Sequence, residues 1–399
     1  MNKSEALKKK LRTELAQELE NTWEVSDDEV LEIIDRLLLK ESKSTYLPIV
    51  RLEELRMELF RSLRKMDVLE ELLENDSITE IMVNRWDQIF IEQDGKLFPW
   101  EKSFSSPEKL EDVIGQIASR CNRVINTLQP IVDARLPGGE RVNAVIPPVA
   151  LDGPVLTIRK FPREPITMEK LLELDSLTPE AADFLKKAVE AGYTILIGGG
   201  TGSGKTTFLN ALSQYIPKDQ RVITIEDNAE LQLQGIPNLV RLECRQANIE
   251  KSQEITIGDL LKTCLRMRPS RIIVGEVRSQ EAAQLLQAVN VGNDGSLSTI
   301  HANTCRDMVS RLETMVLMGI QLPIPVIRRQ IASGFDLFIH LGRLRDKSRK
   351  VLEISEIKGM DGEELKLNPL FIRNTTLEKT GEMIHREKFR KAGIDDEEF

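Results

Sequence analysis

The residues best suited to chemistry lie in one stretch, Gly199-Gly200-Thr201-Gly202-Ser203-Gly204-Lys205-Thr206-Thr207, which fits the P-loop pattern G-x-x-x-x-G-K-[ST]. The apolar run Tyr193-Thr194-Ile195-Leu196-Ile197 precedes it and reads as a buried parallel strand. Phe208-Leu209-Asn210-Ala211-Leu212 follows and reads as the start of a helix. Glycines allow backbone N–H groups to converge on phosphate oxygens where a side chain would collide, and a helix N-terminus adds partial positive charge there. On this pattern Lys205 reaches the β- and γ-phosphates and the Thr206 hydroxyl holds Mg²⁺. Average residue usage yields the pattern by accident in roughly one chain in a hundred of this length, and the flanking strand and helix lower that further.

Acids at strand ends come next. Arg271-Ile272-Ile273-Val274-Gly275-Glu276 reads as a buried strand ending in a carboxylate. Such a strand in a P-loop fold normally ends in an aspartate for the metal; here Gly275 holds the penultimate position and Glu276 is left as general base or orienter of a water. The Glu276 carboxylate could also reach Mg²⁺ through water, and Glu226, Asp227 and Glu230, at and beyond the end of Arg221-Val222-Ile223-Thr224-Ile225-Glu226-Asp227, could supply that second function. His301 ends a further strand after Gly292-Asn293-Asp294-Gly295, where it could touch the γ-phosphate or Glu276; a lone histidine at such a place is more often structural. Arg245 and Arg268 belong to basic runs that include Arg241, Arg266 and Arg271. Some are plain surface charge, and in an oligomeric ATPase one can act on the neighbour's nucleotide.

The elements that must position these groups fall into an order. Residues 1–66 read as a helical bundle: Leu7, Leu11, Leu15 and Leu19 recur at helical spacing, Ser26-Asp27-Asp28-Glu29 is a capping box for a helix through Leu39, and a third helix runs from about Val50 to Leu63. Residues 67–161 read as an α+β domain, with strands at 78–83 and 88–92, a helix over about 107–121, two strands around the turn Pro137-Gly138-Gly139, and a strand at 156–161. Alternation puts Asp133 with Arg135 on one face, and Arg141 with Asn143 likewise. Arg135, Arg141 and Arg159 on neighbouring strands are either solvated or aimed at phosphates. Residues 162–178 form a linker, helical near Met168, and Thr178-Pro179 starts a helix that Gly192 ends. From there to 372 strands and helices alternate, which predicts a mostly parallel sheet, and 373–399 form a charged, frayed tail.

Composition narrows the classes. The chain has 399 residues, 30% charged and 41% hydrophobic, with net charge −9. That balance, with 5% aromatics and no basic stripe, speaks against a nucleic-acid motor. No apolar run approaches a membrane span, no secretory leader is evident, and the four cysteines include no C-x-x-C pair, in keeping with a reducing cytoplasm.

Taken together, four stretches resemble the type II/type IV secretion ATPases, and within them the CpaF-type motors of tight-adherence (Flp) pili. They are the P-loop, Ile223–Leu231 as an Asp box, Leu265–Arg278 as an unusual Walker B, and Gly292–Asn303 as a His box; the likeness spans about Leu72 to Val351. The resemblance implies an α/β chain with a RecA-like ATPase domain, preceded by a PAS-like α+β domain and the helical bundle. It implies ATP and Mg²⁺ as cofactors, a homo-hexamer on an inner-membrane platform protein, and a location at the inner face of the cell membrane. It makes Glu276 the catalytic acid, with Glu226 and Glu230 assisting and His301 coupling nucleotide to motion. Arg135, Arg141 and Arg159 become phosphate ligands. Two departures stand out: Asn293 replaces the first histidine of the His box, and the four-cysteine zinc motif of the extension-pilus and type II branches is missing. Rival readings are a RecA-type nucleic-acid motor, a P-loop small-molecule kinase, and a nucleotide-gated ring with negligible turnover.

Overall fold

The computed structural model describes residues 7, 10, 11, 14, 15, 27–42, 48–64, 66–93, 95–121, 123–160, 165–245 and 254–394. Leu19, Ser26, Phe161 and Pro162 of the sequence reading lie outside them. The chain forms two compact units, Met1–Arg163 and Glu164–Phe399.

The first unit runs α1 (Asp27–Ser42), α2 (Ile49–Arg64), α3 (Leu69–Glu74), β1 (Ile78–Arg85), β2 (Gln88–Gln93), β3 (Lys96–Trp100), α4 (Pro107–Arg120), β4 (Ile131–Arg135), β5 (Arg141–Val145) and β6 (Val155–Arg159). Its helices have their own small core, in which Leu11, Leu15, Val30, Ile34, Leu55 and Leu59 meet, and Arg56 reaches across to Asp35. A second core lies under an antiparallel sheet of order β3-β2-β1-β6-β5-β4. α4 packs on it through Leu110, Val113, Ile114 and Ile117, capped by Ser106, which accepts from the Lys109 N–H. Strand alternation buries Val132, Val142, Ala144 and Ile158 and turns the intervening residues to the other face. Register then aligns Arg135 with Arg141 and Arg141 with Arg159, a row of arginines across three adjacent strands.

The second unit runs α5 (Met168–Glu173), α6 (Pro179–Ala191), β7 (Ile195–Gly199), α7 (Lys205–Ser213), β8 (Val222–Glu226), β9 (Leu239–Glu243), α8 (Ile257–Cys264), β10 (Arg271–Val277), α9 (Ala282–Asn290), β11 (Leu297–Ile300), α10 (Cys305–Gly319), α11 (Ile324–Gly334), β12 (Leu337–Arg343), β13 (Arg349–Asp361), β14 (Glu364–Arg373), β15 (Leu377–Lys379) and α12 (Glu387–Lys391). Among the described residues its sheet has the order β15-β14-β13-β12-β7-β11-β10-β8-β9. The six strands from β12 to β9 are mutually parallel, and β7, most of β8 and the run Ile272-Ile273-Val274 of β10 are apolar and buried on both faces, as helix-covered parallel strands must be. One core, around Phe184, Leu185 and Leu209, fills one face; the other, around Leu261, Leu285, Met308 and Leu312, fills the opposite one.

The sheet is mostly parallel, as expected, and β13, β14 and β15 add an antiparallel wing beyond β12. One expectation needs correction. The C-terminal segment is not frayed over residues 377–394. Leu377, Met383 and Phe389 enter the core, and the Phe389 ring lies 4.7 Å from that of Tyr193. Glu356, buried in β13, accepts the backbone N–H groups of Ile384 and His385, and Lys388 bridges Asp336 and Asp294. Charge obscured this docking because only every few residues touch the core. Phe389→Ala should therefore cost about 3–5 kcal/mol, read as a lower denaturant midpoint in equilibrium unfolding; a change under about 0.5 kcal/mol would mean the segment is not docked.

Candidate active site

β7 ends at Gly199, and the loop that follows closes on itself before α7 begins at Lys205. Gly204, at φ +92°, makes the turn into the helix in a conformation that side chains resist. Space is the constraint at Gly199, where a Cβ would meet the Leu341 carbonyl oxygen at 2.6 Å. The backbone of the loop is thus pressed against β12, and Ser203 is buried inside it.

Lys205 is itself buried, 8% exposed. Its Nζ donates to the carbonyls of Gly199 (3.0 Å) and Gly200 (3.1 Å). It also lies 3.5 Å from His301 Nδ1 and 4.0 Å from Glu276 Oε1. Burial pushes the ammonium below its ordinary pKa, opposed by the charge of Glu276.

Glu276 and His301 come from the neighbouring parallel strands. Register sets Ile300 beside Val277, so the ends of β10 and β11 meet next to the loop. His301 Nε2 approaches Glu276 Oε1 to 2.7 Å, off the axis of a hydrogen bond, and Oε1 is a buried acceptor without a hydrogen-bond partner. Burial holds His301 below the usual imidazole pKa; Glu276 opposes the shift and the Lys205 charge adds to it. The ring is therefore neutral near pH 7, with its Nδ1 lone pair facing Lys205 and its Nε2–H toward the carboxylate. The other oxygen, Oε2, accepts from Arg278 Nε at 2.6 Å, and Arg278 Nη1 reaches Asp227 at 3.3 Å. The sequence reading gave Arg278 no role. A basic residue two positions past a strand-end acid is the signal that could have found it.

Gly275 has a spatial cause. A Cβ there would meet Glu226 Cγ at 3.0 Å, so the side chain from β8 fills the room an aspartate on β10 would need. Glu226 is 2% exposed; its Oε1 accepts from the N–H groups of Glu230 and Leu231, both at 2.8 Å, while Oε2 is buried without a partner. Burial raises its pKa to about 7 against those two hydrogen bonds. The orphaned Glu226 Oε2 and the unpartnered Glu276 Oε1 are each carboxylate oxygens of the kind Mg²⁺ takes.

The other arginines divide. Arg245 follows β9 at the same edge, where the Cys244 N–H donates to the Glu226 carbonyl. Arg268 precedes β10 and so lies at the opposite edge of the parallel strands, roughly 20 Å from the loop. The fold does not bring Arg268 to this loop within one subunit. Arg135, Arg141 and Arg159 belong to the first unit.

A family model described as type II/IV secretion system protein matches residues 62–373. The type IV secretion system protein VirB11 of Brucella suis is 36% identical over 306 residues, covering 69% of this chain and 84% of that protein. The conjugal transfer protein TrbB of Rhizobium radiobacter is 34% identical over 291 residues, covering 72% and 86%.

The chain belongs to the type II/IV secretion system protein family.

Among solved structures, the pilus retraction motor PilT with bound ADP aligns at TM-score 0.53 and 21% identity, over 78% of this chain and 84% of that one. The ATPase DotB of Legionella pneumophila aligns at TM-score 0.51 and 21% identity, over 75% and 81%. Both show a shared mixed α/β fold. Among the described residues no helix is long and apolar enough to cross a membrane.

Glu226 yields a test of the geometry. Its folded pKa of about 7 exceeds the usual 4.5. The native state then holds a proton that the unfolded state has lost, so stability falls as pH rises from about 4.5 to 7. Glu226→Gln removes this loss. In nucleotide-free protein with chelator, the variant should gain up to about 3 kcal/mol on wild type between pH 4.5 and 8. Parallel stability curves would place the carboxylate in water instead.

Proposed function

We propose that this ATPase powers the assembly, and also the retraction, of a CpaF-type tight-adherence pilus, or protein secretion through a related machine. It works as a homo-hexamer at the inner face of the cell membrane, held there by a platform protein. The ATPase reading rests above all on the buried Lys205 ammonium, which faces Glu276 and His301 across a loop of the P-loop type. The relatives named for secretion, conjugal transfer and pilus retraction support the motor. In finer detail we take residues 179–372 as RecA-like, continued by the docked segment 377–394, residues 67–161 as PAS-like, 1–66 as a helical extension and 162–178 as a linker.

In this reading the backbone N–H groups from Gly199 to Thr207 and the Lys205 ammonium hold the β- and γ-phosphates. Mg²⁺, held by the Thr206 hydroxyl with Glu226 and Glu276 near it, would offset phosphate charge. Glu276 orients the attacking water. Arg278 holds its Oε2, which leaves Oε1 as the acceptor for a water proton. Neutral His301 accepts from Lys205 and lies beside Oε1, so loss of the terminal phosphate is felt at its ring. Glu230 supports Glu226 through its backbone N–H. Arg245, at the same edge, and the row Arg135, Arg141 and Arg159 are proposed as further phosphate partners, and Arg268 as one that acts on a neighbouring subunit's nucleotide.

Phosphate release and nucleotide titration test this together. Lys205→Ala should abolish measurable ATP binding. Glu276→Gln should retain binding within a few-fold and lower kcat at least 100-fold, the scale of losing a positioned base. Unchanged phosphate release by Glu276→Gln would refute the assignment and favour a nucleotide-gated ring. Light scattering with nucleotide present should give a hexamer; a monomer or dimer would favour the kinase alternative.

A further inference from the structure

The hairpin that joins β12 to β13 reads Arg343-Leu344-Arg345-Asp346-Lys347-Ser348-Arg349-Lys350, five basic residues against one acid in a chain of net charge −9. Lys350 is tied down by the Leu174 and Asp175 carbonyls and the Asp175 carboxylate. Asp346 is consumed by Ser348, whose N–H and Oγ it accepts. Arg343 and Arg349 face each other directly across the two strands, a like-charge pair that a hairpin ordinarily avoids. Neither guanidinium has a hydrogen bond or an ion pair among the described residues.

Both lie against the P-loop. A Cβ at Gly204 would meet Arg349 Cδ at 3.3 Å, and one at Gly202 would meet Arg343 Nη1 at 3.7 Å. The contact follows from the sheet: Leu341 pairs with Gly199, so β12 carries its next residues alongside the loop. Strand order then assigns the pair a side. β7 lies between β12 and β11, with Glu276 and His301 on the β11–β10 side and the arginines on the β12 side. The end of the nucleotide where the bond breaks must face Glu276. The arginines face the phosphates nearer the nucleoside, which ATP and ADP have in common.

We propose that Arg343 and Arg349 form a second phosphate clamp on the P-loop that grips the α- and β-phosphates of a nucleoside di- or triphosphate and so controls ADP retention. The proposal rests on the ATPase reading above. Guanidinium groups pair with phosphate oxygens in bidentate fashion, and an anion between them relieves their mutual repulsion. Because the contact is the same for ATP and ADP, it sets affinity and not the rate of bond cleavage.

The test is titration of the full-length chain with fluorescent ADP, and with ATP on a Glu276→Gln background. Arg343→Ala/Arg349→Ala together should weaken ADP and ATP by the same factor, about tenfold or more. KM should rise by a similar factor with kcat within twofold. The Lys/Lys variant should recover part of the affinity, and Arg345→Ala, on the same hairpin, should bind as wild type. A nucleotide-free melting curve matching wild type checks the fold; if the alanine pair melts early, the Lys/Lys variant and single alanines carry the comparison. Wild-type affinity in the alanine pair overturns the clamp, and so does a loss confined to ATP or an equal loss in Arg345→Ala. Failure of the unmodified chain to bind either nucleotide refutes the ATPase reading instead.

Discussion

A positive side chain taken out of water at the head of a helix sets the terms for this site. The α7 N-terminus already carries partial positive charge, and Lys205 adds a full one in a place with little solvent. Two backbone carbonyls solvate the ammonium but do not neutralise it. The carboxylate of Glu276 stands near enough to moderate the field and too far to cancel it. The backbone of the loop is shaped for an anion of several oxygens.

The remaining chemistry is a matter of which strands stand side by side. β8, β10 and β11 deliver Glu226, Glu276 and His301 to one edge because all three run parallel to β7. The two glutamates have opposite surroundings. Glu226 is buried and receives backbone N–H groups on one oxygen only, so it holds its proton to about pH 7. Glu276 is fixed by an arginine from its own strand end and keeps one oxygen turned toward the lysine and histidine. The short residue at Gly275 leaves room for the Glu226 side chain against β10.

Much of this was legible in the residues. The loop, its strand and its helix were, because glycine spacing and a two-sided apolar run are local signals. Glu276 and His301 were legible as strand-end groups. Arg278 was not, since its partners are Asp227 and a residue two positions away, and a solvated arginine looks the same in sequence. The β13–β14 wing was in part available: Asp361-Gly362 between apolar runs is a hairpin signal, and Asp361 pairs with Glu364 across it. The docking of Phe389 was hidden among charges.

The sequence alone determined that a phosphate-binding loop exists, where it begins and ends, and that an acid-tipped strand follows; each depends on neighbours within a few positions. Tertiary structure decided which groups Glu226 and Glu276 meet, that Arg268 lies at the far edge while Arg245 lies near, and that Arg343 and Arg349 rest on the loop. Those outcomes turn on strand order, which joins residues tens of positions apart, and for Gly202 and Arg343 more than a hundred, and leaves no periodic trace in the chain.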